Sequence, residues 1–202
     1  MMSHRLLAMN LVVFLGPLAG SGAAQAPAAT AAAPSPSVYN IELVVFKTNS
    51  SGSEDWNTPG AHAPAAASDS SSGNAQVGRL VGTLQASQFQ MANEVAKLRA
   101  TGLYQILTHL AWQQTASSWG TRAGFTLAKL GAQAGGLGGI VYLERGTYLH
   151  LGVNLSYNGA GPSYRIDESR RIKFYEKQYF DHPVIGALAM VTPAQGAKPP
   201  GR

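Results

Sequence analysis

From Val38 to Phe46 the chain reads Val-Tyr-Asn-Ile-Glu-Leu-Val-Val-Phe, a short apolar run rich in β-branched residues and followed by turn formers. Such a run predicts a strand buried on both faces and central in its sheet. Further along, Met91, Val95 and Leu98 recur at spacings of four and three, which places them on one face of a helix. Ser87 and Gln90 have the spacing of a capping box. Lys97 and Arg99 suit the negative end of the helix dipole, and Gly102 is the expected stop. Together these predict a helix over residues 88–101.

From Leu103 to Gln113 the pattern returns to period two. Tyr104, Ile106, Thr108, Leu110 and Trp112 fall on one face, and Gln105, His109 and Gln113 on the other. The stretch up to Gly139 has no clear period and is punctuated by Gly131, Gly135, Gly136 and Gly138, so it reads as loop. A long strand signal runs from Gly139 to Tyr157, with Gly146 as a bulge or bend. Within it Leu149, Leu151, Val153 and Leu155 alternate with Tyr148, His150, Gly152, Asn154 and Ser156, the first set facing the core and the second solvent or a groove. Tyr164 to Ile172, Lys173 to Phe180 and Ile185 to Val191 read as further strands, with turn chemistry at Asn158-Gly159 and Asp181-His182-Pro183. The order of one strand, one helix and several strands predicts an α+β fold: a single small domain, an antiparallel sheet of about five or six strands with one main helix packed on it.

The segments around this domain have no such pattern. Residues 1–26 have the three parts of a secretory signal: Arg5, an apolar run from Leu6 to Leu18, and small residues ending in Ala24-Gln25-Ala26. The run is shorter than the roughly 20 residues that span a bilayer, and no later segment is apolar enough to do so. Residues 27–37, rich in Ala, Pro, Thr and Ser, read as a flexible tether. Residues 48–83 read as a low-complexity insertion within the domain of 38–192, with Trp56 as its large apolar residue, and 193–202 as a disordered tail.

Composition narrows the functional classes. The 202 residues hold no cysteine, 15 Lys and Arg, and 10 Asp and Glu. Disulfides, thiolate nucleophiles and thiolate metal sites are therefore excluded. Loss of residues 1–26 removes Arg5 and no acid, leaving 14 basic residues against 10 acidic, a net +4. That mild excess favours anionic partners, and in an exported chain it does not point to nucleic acid. The glycine-rich stretch lacks the Lys and Ser or Thr of a phosphate loop. There is no Gly-x-Ser-x-Gly and no His-Glu-x-x-His, and the acids are scattered, with Glu42 and Glu144 the best carboxylate candidates. The spacing of His109, His150 and His182 requires no metal, and no cofactor is expected. What remains is a basic and aromatic C-terminal third, in which Arg165, Arg170, Arg171, Lys173 and Lys177 are interspersed with Tyr164, Phe174, Tyr175 and Tyr179. Arginine pairs with carboxylates, and tyrosine offers a flat face to a sugar ring.

Five blocks, in order across roughly residues 38–192, carry a family resemblance. They are Tyr39–Phe46; Tyr104–Gln113; Gly146-Thr147-Tyr148-Leu149-His150-Leu151; Glu168-Ser169-Arg170-Arg171; and Tyr179–Gly186. Together they are similar to CsiV, a periplasmic peptidoglycan-binding family of Gram-negative proteobacteria. The Ser/Gly/Ala insertion and the glycine-rich linker depart from a more compact pattern. The resemblance implies a non-enzymatic role in supporting peptidoglycan synthesis and cell shape, with peptidoglycan as the ligand. The alternative partner is a cell-wall synthase or its activator, bound through the segment around Trp56. The candidate ligand contacts are His109, Tyr148, His150, Arg170 and Arg171. Strand alternation predicts that Arg171 is exposed. Arg170 is expected to be partly buried on the more apolar face, against Glu42 or Glu144.

Overall fold

The computed structural model describes residues 37–49, 76–159 and 161–194. The expected signal, almost all of the tether, Trp56 and its neighbours, and residues 195–202 of the tail lie outside them. The described residues form two five-stranded sheets that share one core, where the sequence predicts a single sheet.

The first sheet has the order β2 (Leu80–Thr83), β3 (Tyr104–Thr115), β1 (Val38–Thr48), β10 (Ile185–Pro193), β9 (Lys177–Phe180), all neighbours antiparallel. β1 is central, as its double-sided apolar pattern requires. β2 forms inside the stretch that reads as low-complexity insertion; it pairs with β3 along one edge. The second sheet has the order β4 (Ser117–Ser118), β6 (Leu137–Arg145), β7 (Leu149–Asn158), β8 (Ser163–Arg171), with β5 (Phe125–Thr126) also on β6. β4 pairs parallel with β6 and the rest pair antiparallel. The single long strand signal over 139–157 is thus a hairpin. Gly146 starts its turn, where Gly146 N–H donates to the Tyr148 carbonyl at 3.0 Å.

The core lies between the sheets. Ile41, Leu43 and Val45 of β1, Trp112 of β3 and Ala187, Ala189 and Val191 of β10 meet Val141, Leu143, Leu151, Val153, Leu155 and Ile166 from the second sheet. The even-numbered residues of β1 point the other way. There Val44 and Phe46 pack with Met91, just before helix α1 (Ala92–Ala100), and with Val95 within it. Burying each such side chain contributes roughly 1.5–3 kcal/mol. Lys177 on β9 also pairs with Glu94 on α1, and its ammonium holds the Glu94 carboxyl below the usual carboxylate range.

β3 departs from simple alternation. Val45 faces Thr108 but Phe46 faces Ile106, so Leu107 is an extra, bulged residue. The bulge reverses the faces along the strand: Tyr104 and Ile106 join the helix-side cluster while Leu110 and Trp112 stay in the main core. The helix also begins later than 88. Residues Ala86–Gln88 make a single 3-10 turn, with Gln85 N–H bonded to Gln88 Oε1 at 2.9 Å, and α1 starts after Met91 with no side-chain cap of its own. Its cap comes from the sheet. The Glu42 carboxylate accepts the backbone N–H of Gln90 at 2.7 Å and of Met91 at 2.9 Å. Gly102, at φ +68°, ends the helix in the left-handed conformation as expected.

Candidate functional site

Three of the five candidate residues meet at one end of the second sheet. Glu144, His150 and Arg171 are register partners across β6, β7 and β8, so their side chains share the face turned away from the core. Tyr148 lies in the β6–β7 turn, and the Arg171 guanidinium carbon sits 3.3 Å from its ring centroid. On the other side of His150 lies Trp119, with ring centroids 4.4 Å apart. The result is a row of Trp119, His150, Arg171 and Tyr148. At a strand spacing of about 4.8 Å, crossing three strands makes the row roughly 10 Å long. Trp119 is 57 % exposed and Tyr148 48 %. Two large aromatic surfaces so placed are more than scattered apolar exposure.

The loop between β4 and β5 positions Trp119. Trp119 N–H bonds to the Arg145 carbonyl at 3.2 Å, and the Ser117 hydroxyl donates to the Ala123 carbonyl at 3.1 Å. Glu144, 3 % exposed, holds the loop from below: its Oε1 accepts the Arg122 backbone N–H and lies 3.3 Å from Thr121 Oγ1. Arg122 adopts φ +49°, a conformation uncommon for a side-chain-bearing residue. Its guanidinium then lies 5.7 Å from the Tyr142 ring centroid and 3.8 Å from Asp167, which Arg165 also pairs with at 2.9 Å. Tyr142 in turn lies across Gly152, where a Cβ would come within 1.9 Å of Cζ.

Two buried polar atoms on this face have no hydrogen-bond partner among the described residues: the Tyr142 hydroxyl and His150 Nδ1. Unsatisfied buried groups are uncommon in folded proteins.

The other two candidates lie elsewhere. His109 is on the outer face of the first sheet, with Nε2 2.7 Å from Glu42 Oε1 and its ring 4.4 Å from Phe89. It completes the hydrogen bonding of the carboxylate that caps α1. Arg170 points to the opposite face of β8 from Arg171, as alternation predicts, but its partner is neither Glu42 nor Glu144. It bonds Glu168 Oε2 through Nη2 at 2.7 Å and Nε at 3.2 Å, lies 5.5 Å from the Phe180 ring centroid, and its side chain is 43 % exposed. Glu42 and Glu144 are occupied by backbone N–H groups on the two outer faces, out of its reach. His182 is separate again: its ring meets Tyr164 edge-on at 5.7 Å, and Nδ1 accepts the Val184 N–H at 3.1 Å. The three histidines do not converge, and among the described residues no group of three or more His, Cys, Asp or Glu could hold a metal ion.

Sequence reasoning missed Trp119, Arg122 and Tyr142. The signal was present for the first: a tryptophan set between Ser118 and Gly120 has small neighbours that cannot cover it.

The family model for "Peptidoglycan-binding protein, CsiV" matches residues 6–194. No curated relative and no solved structure matches the chain.

Proposed function

The chain belongs to the CsiV family of peptidoglycan-binding proteins, and on that premise we propose that it holds peptidoglycan through the outward face of its second sheet. It does so as a periplasmic accessory protein without chemistry of its own, and it supports cell-wall synthesis and cell shape. The observation that carries the reading is the row of Trp119, His150, Arg171 and Tyr148. Sugar rings present flat C–H faces that stack on indole and phenol rings. Stem-peptide carboxylates are matched by the guanidinium of Arg171. The row's length of roughly 10 Å suits two sugar units side by side. Export is consistent with the signal-like first 26 residues. Among the described residues no helix is long and apolar enough to cross a membrane.

The test is co-sedimentation with purified sacculi. Trp119→Ala and Tyr148→Ala should each weaken pelleting by about tenfold, the equivalent of 1.4 kcal/mol, with only a small change in melting temperature. Binding that vanishes at ~0.5 M salt, where exposed charges are screened, would reduce the interaction to non-specific attraction. Wild-type pelleting by both folded variants would overturn the assignment to this face. The alternative, capture of a wall synthase or its activator through the segment around Trp56, is tested separately. Residues 50–75 are replaced by a Gly/Ser linker of equal length, which spares β2. Sacculus binding should persist in that variant.

A further inference from the structure

The outer face of the first sheet is divided. Its apolar half, with Val44, Phe46 and Ile106, lies under α1. The other half is polar. Gln113, Asn40 and Thr192 are register partners across β3, β1 and β10. Gln113 Nε2 donates to Asn40 Oδ1 at 2.9 Å, and Asn40 Nδ2 donates to Thr192 Oγ1 at 3.3 Å. Above this ladder the chain segment before α1 walls off a pocket of about 380 Å³, lined by Asn40, Leu84, Gln88, Gln90 and Gln113. That volume is within the range of small-molecule sites.

Among the described residues the lining is four carboxamides and one leucine, with no charged side chain. The internal bonds use only part of the amide capacity. Gln113 Oε1, the Gln88 amino group and the whole Gln90 side-chain amide have no partner among the described residues, although each amide offers two donor hydrogens and an acceptor oxygen. The Glu42 carboxylate lies two residues along β1 on the same face, with its bonds directed to Gln90 N–H, Met91 N–H and His109. An anionic ligand would meet that charge, and a cationic one would find no free carboxylate in the lining. The pocket therefore suits an uncharged group with one donor, one acceptor and a small apolar end.

We propose that this pocket is a second binding site, distinct from the Trp119 row, and that it takes an acetamido group: carbonyl and N–H against the Gln90 and Gln113 amides, methyl against Leu84. The chemistry is shared by an N-acetylated sugar and an N-acetylated peptide end.

The experiment follows the side-chain amide signals of the ¹⁵N-labelled protein by NMR during titration with N-acetylglucosamine, glucose, and N-acetylalanine methylamide. Signals of Asn40, Gln90 and Gln113 should move with an acetamido compound and stay in place with glucose. Movement with the sugar identifies a glycan source, and movement with the blocked amino acid alone identifies a peptide source. Gln90→Ala, at an exposed position, should weaken the shifts at Asn40 and Gln113 by about fivefold, the loss of one hydrogen bond. Trp119→Ala should leave them unchanged, which separates this site from the peptidoglycan-binding face whichever way sacculus binding comes out. No movement with either acetamido compound, or equal movement with glucose, would overturn the proposal.

Discussion

The two outward faces of the molecule handle polar groups in opposite ways. Under α1, on the first sheet, Glu42 is 5 % exposed, and its carboxylate has three partners that engage both oxygens: Gln90 N–H, Met91 N–H and His109 Nε2. On the second sheet no helix among the described residues covers the face. Trp119 and Tyr148 are left in solvent, and the Tyr142 hydroxyl and His150 Nδ1 are buried without partners among the described residues. A charge that is buried and fully bonded has its interactions inside the protein, so altering it should disturb the fold. A face with exposed rings has contacts still to make, so altering those rings should disturb binding. His109 and His150 look alike in the sequence, each a polar position on a strand, yet they fall on opposite sides of this division.

The largest effect tests the first half of the contrast. Glu42→Ala leaves the Gln90 and Met91 N–H groups at the helix entry and His109 facing a buried gap. Loss of one member of a buried, bonded pair costs about 3–5 kcal/mol. Urea denaturation should show that loss, while the fraction still folded pelleting with sacculi should match wild type. Glu42→Gln keeps the shape and one acceptor oxygen and should cost less, about 1–3 kcal/mol. A Glu42→Ala protein within 1 kcal/mol of wild type would mean that α1 needs no cap from the sheet.

Two substitutions on the other face come next, with opposite signs. Gly152→Ala places a Cβ 1.9 Å from Tyr142 Cζ. The ring is 2 % exposed and lies beneath Arg122, so it cannot turn aside freely. Such overpacking typically costs 1–3 kcal/mol. Tyr142→Phe instead removes a buried hydroxyl that has no partner, and relief of that desolvation should stabilise the protein by up to about 1 kcal/mol. Thermal melts of the two variants check both. If Tyr142→Phe destabilises, the hydroxyl has a partner in solution, and this face is more self-contained than the contrast holds.

What the sequence showed of this arrangement followed from periodicity, and what it hid followed from partnership. Alternation from Leu149 to Leu155 correctly marks the buried side of β7, and the central place of β1 is legible in its unbroken apolar run. Period two tells which side of a strand is buried but not against what, so two sheets read as one. A strand buried on both faces needs two covers, and the one predicted helix could supply only one of them; the second sheet was implied there. The bulge at Leu107 has no glycine or proline to announce it, yet it reverses which face Tyr104 and Ile106 join. The helix start was misplaced because its cap, Glu42, lies 48 residues before Gln90 in the chain. For the proposed site, alternation places His150 and Arg171 on the side of their strands turned from the core, and Tyr148 is an exposed aromatic position. Trp119 comes from a loop held in place by Glu144, a contact that no local pattern encodes.

The smallest effects on stability give the sharpest contrast, because Arg170 and Arg171 are adjacent and differ only in the side of β8 they occupy. A buried carboxylate partner, as strand alternation predicts for Arg170, would make Arg170→Ala cost about 3–5 kcal/mol. The partner is Glu168, two residues away on the same strand, and the two side chains are 43 % and 33 % exposed. An exposed pair of this kind is screened by water and is worth at most about 1 kcal/mol. Arg170→Ala should therefore lower stability by no more than that, including its contact with Phe180. Arg171→Ala loses a stacked but solvent-exposed contact with Tyr148, worth about 0.5–1 kcal/mol at such sites, and part of that should be recovered as both side chains regain rotamer freedom. Melting curves should thus barely separate the two variants. Sacculus binding should separate them clearly, falling several-fold for Arg171→Ala and staying at the wild-type level for Arg170→Ala. Equal loss of binding in both would point to general positive charge as the determinant. Loss in Arg170→Ala alone would move the site to the other face of β8.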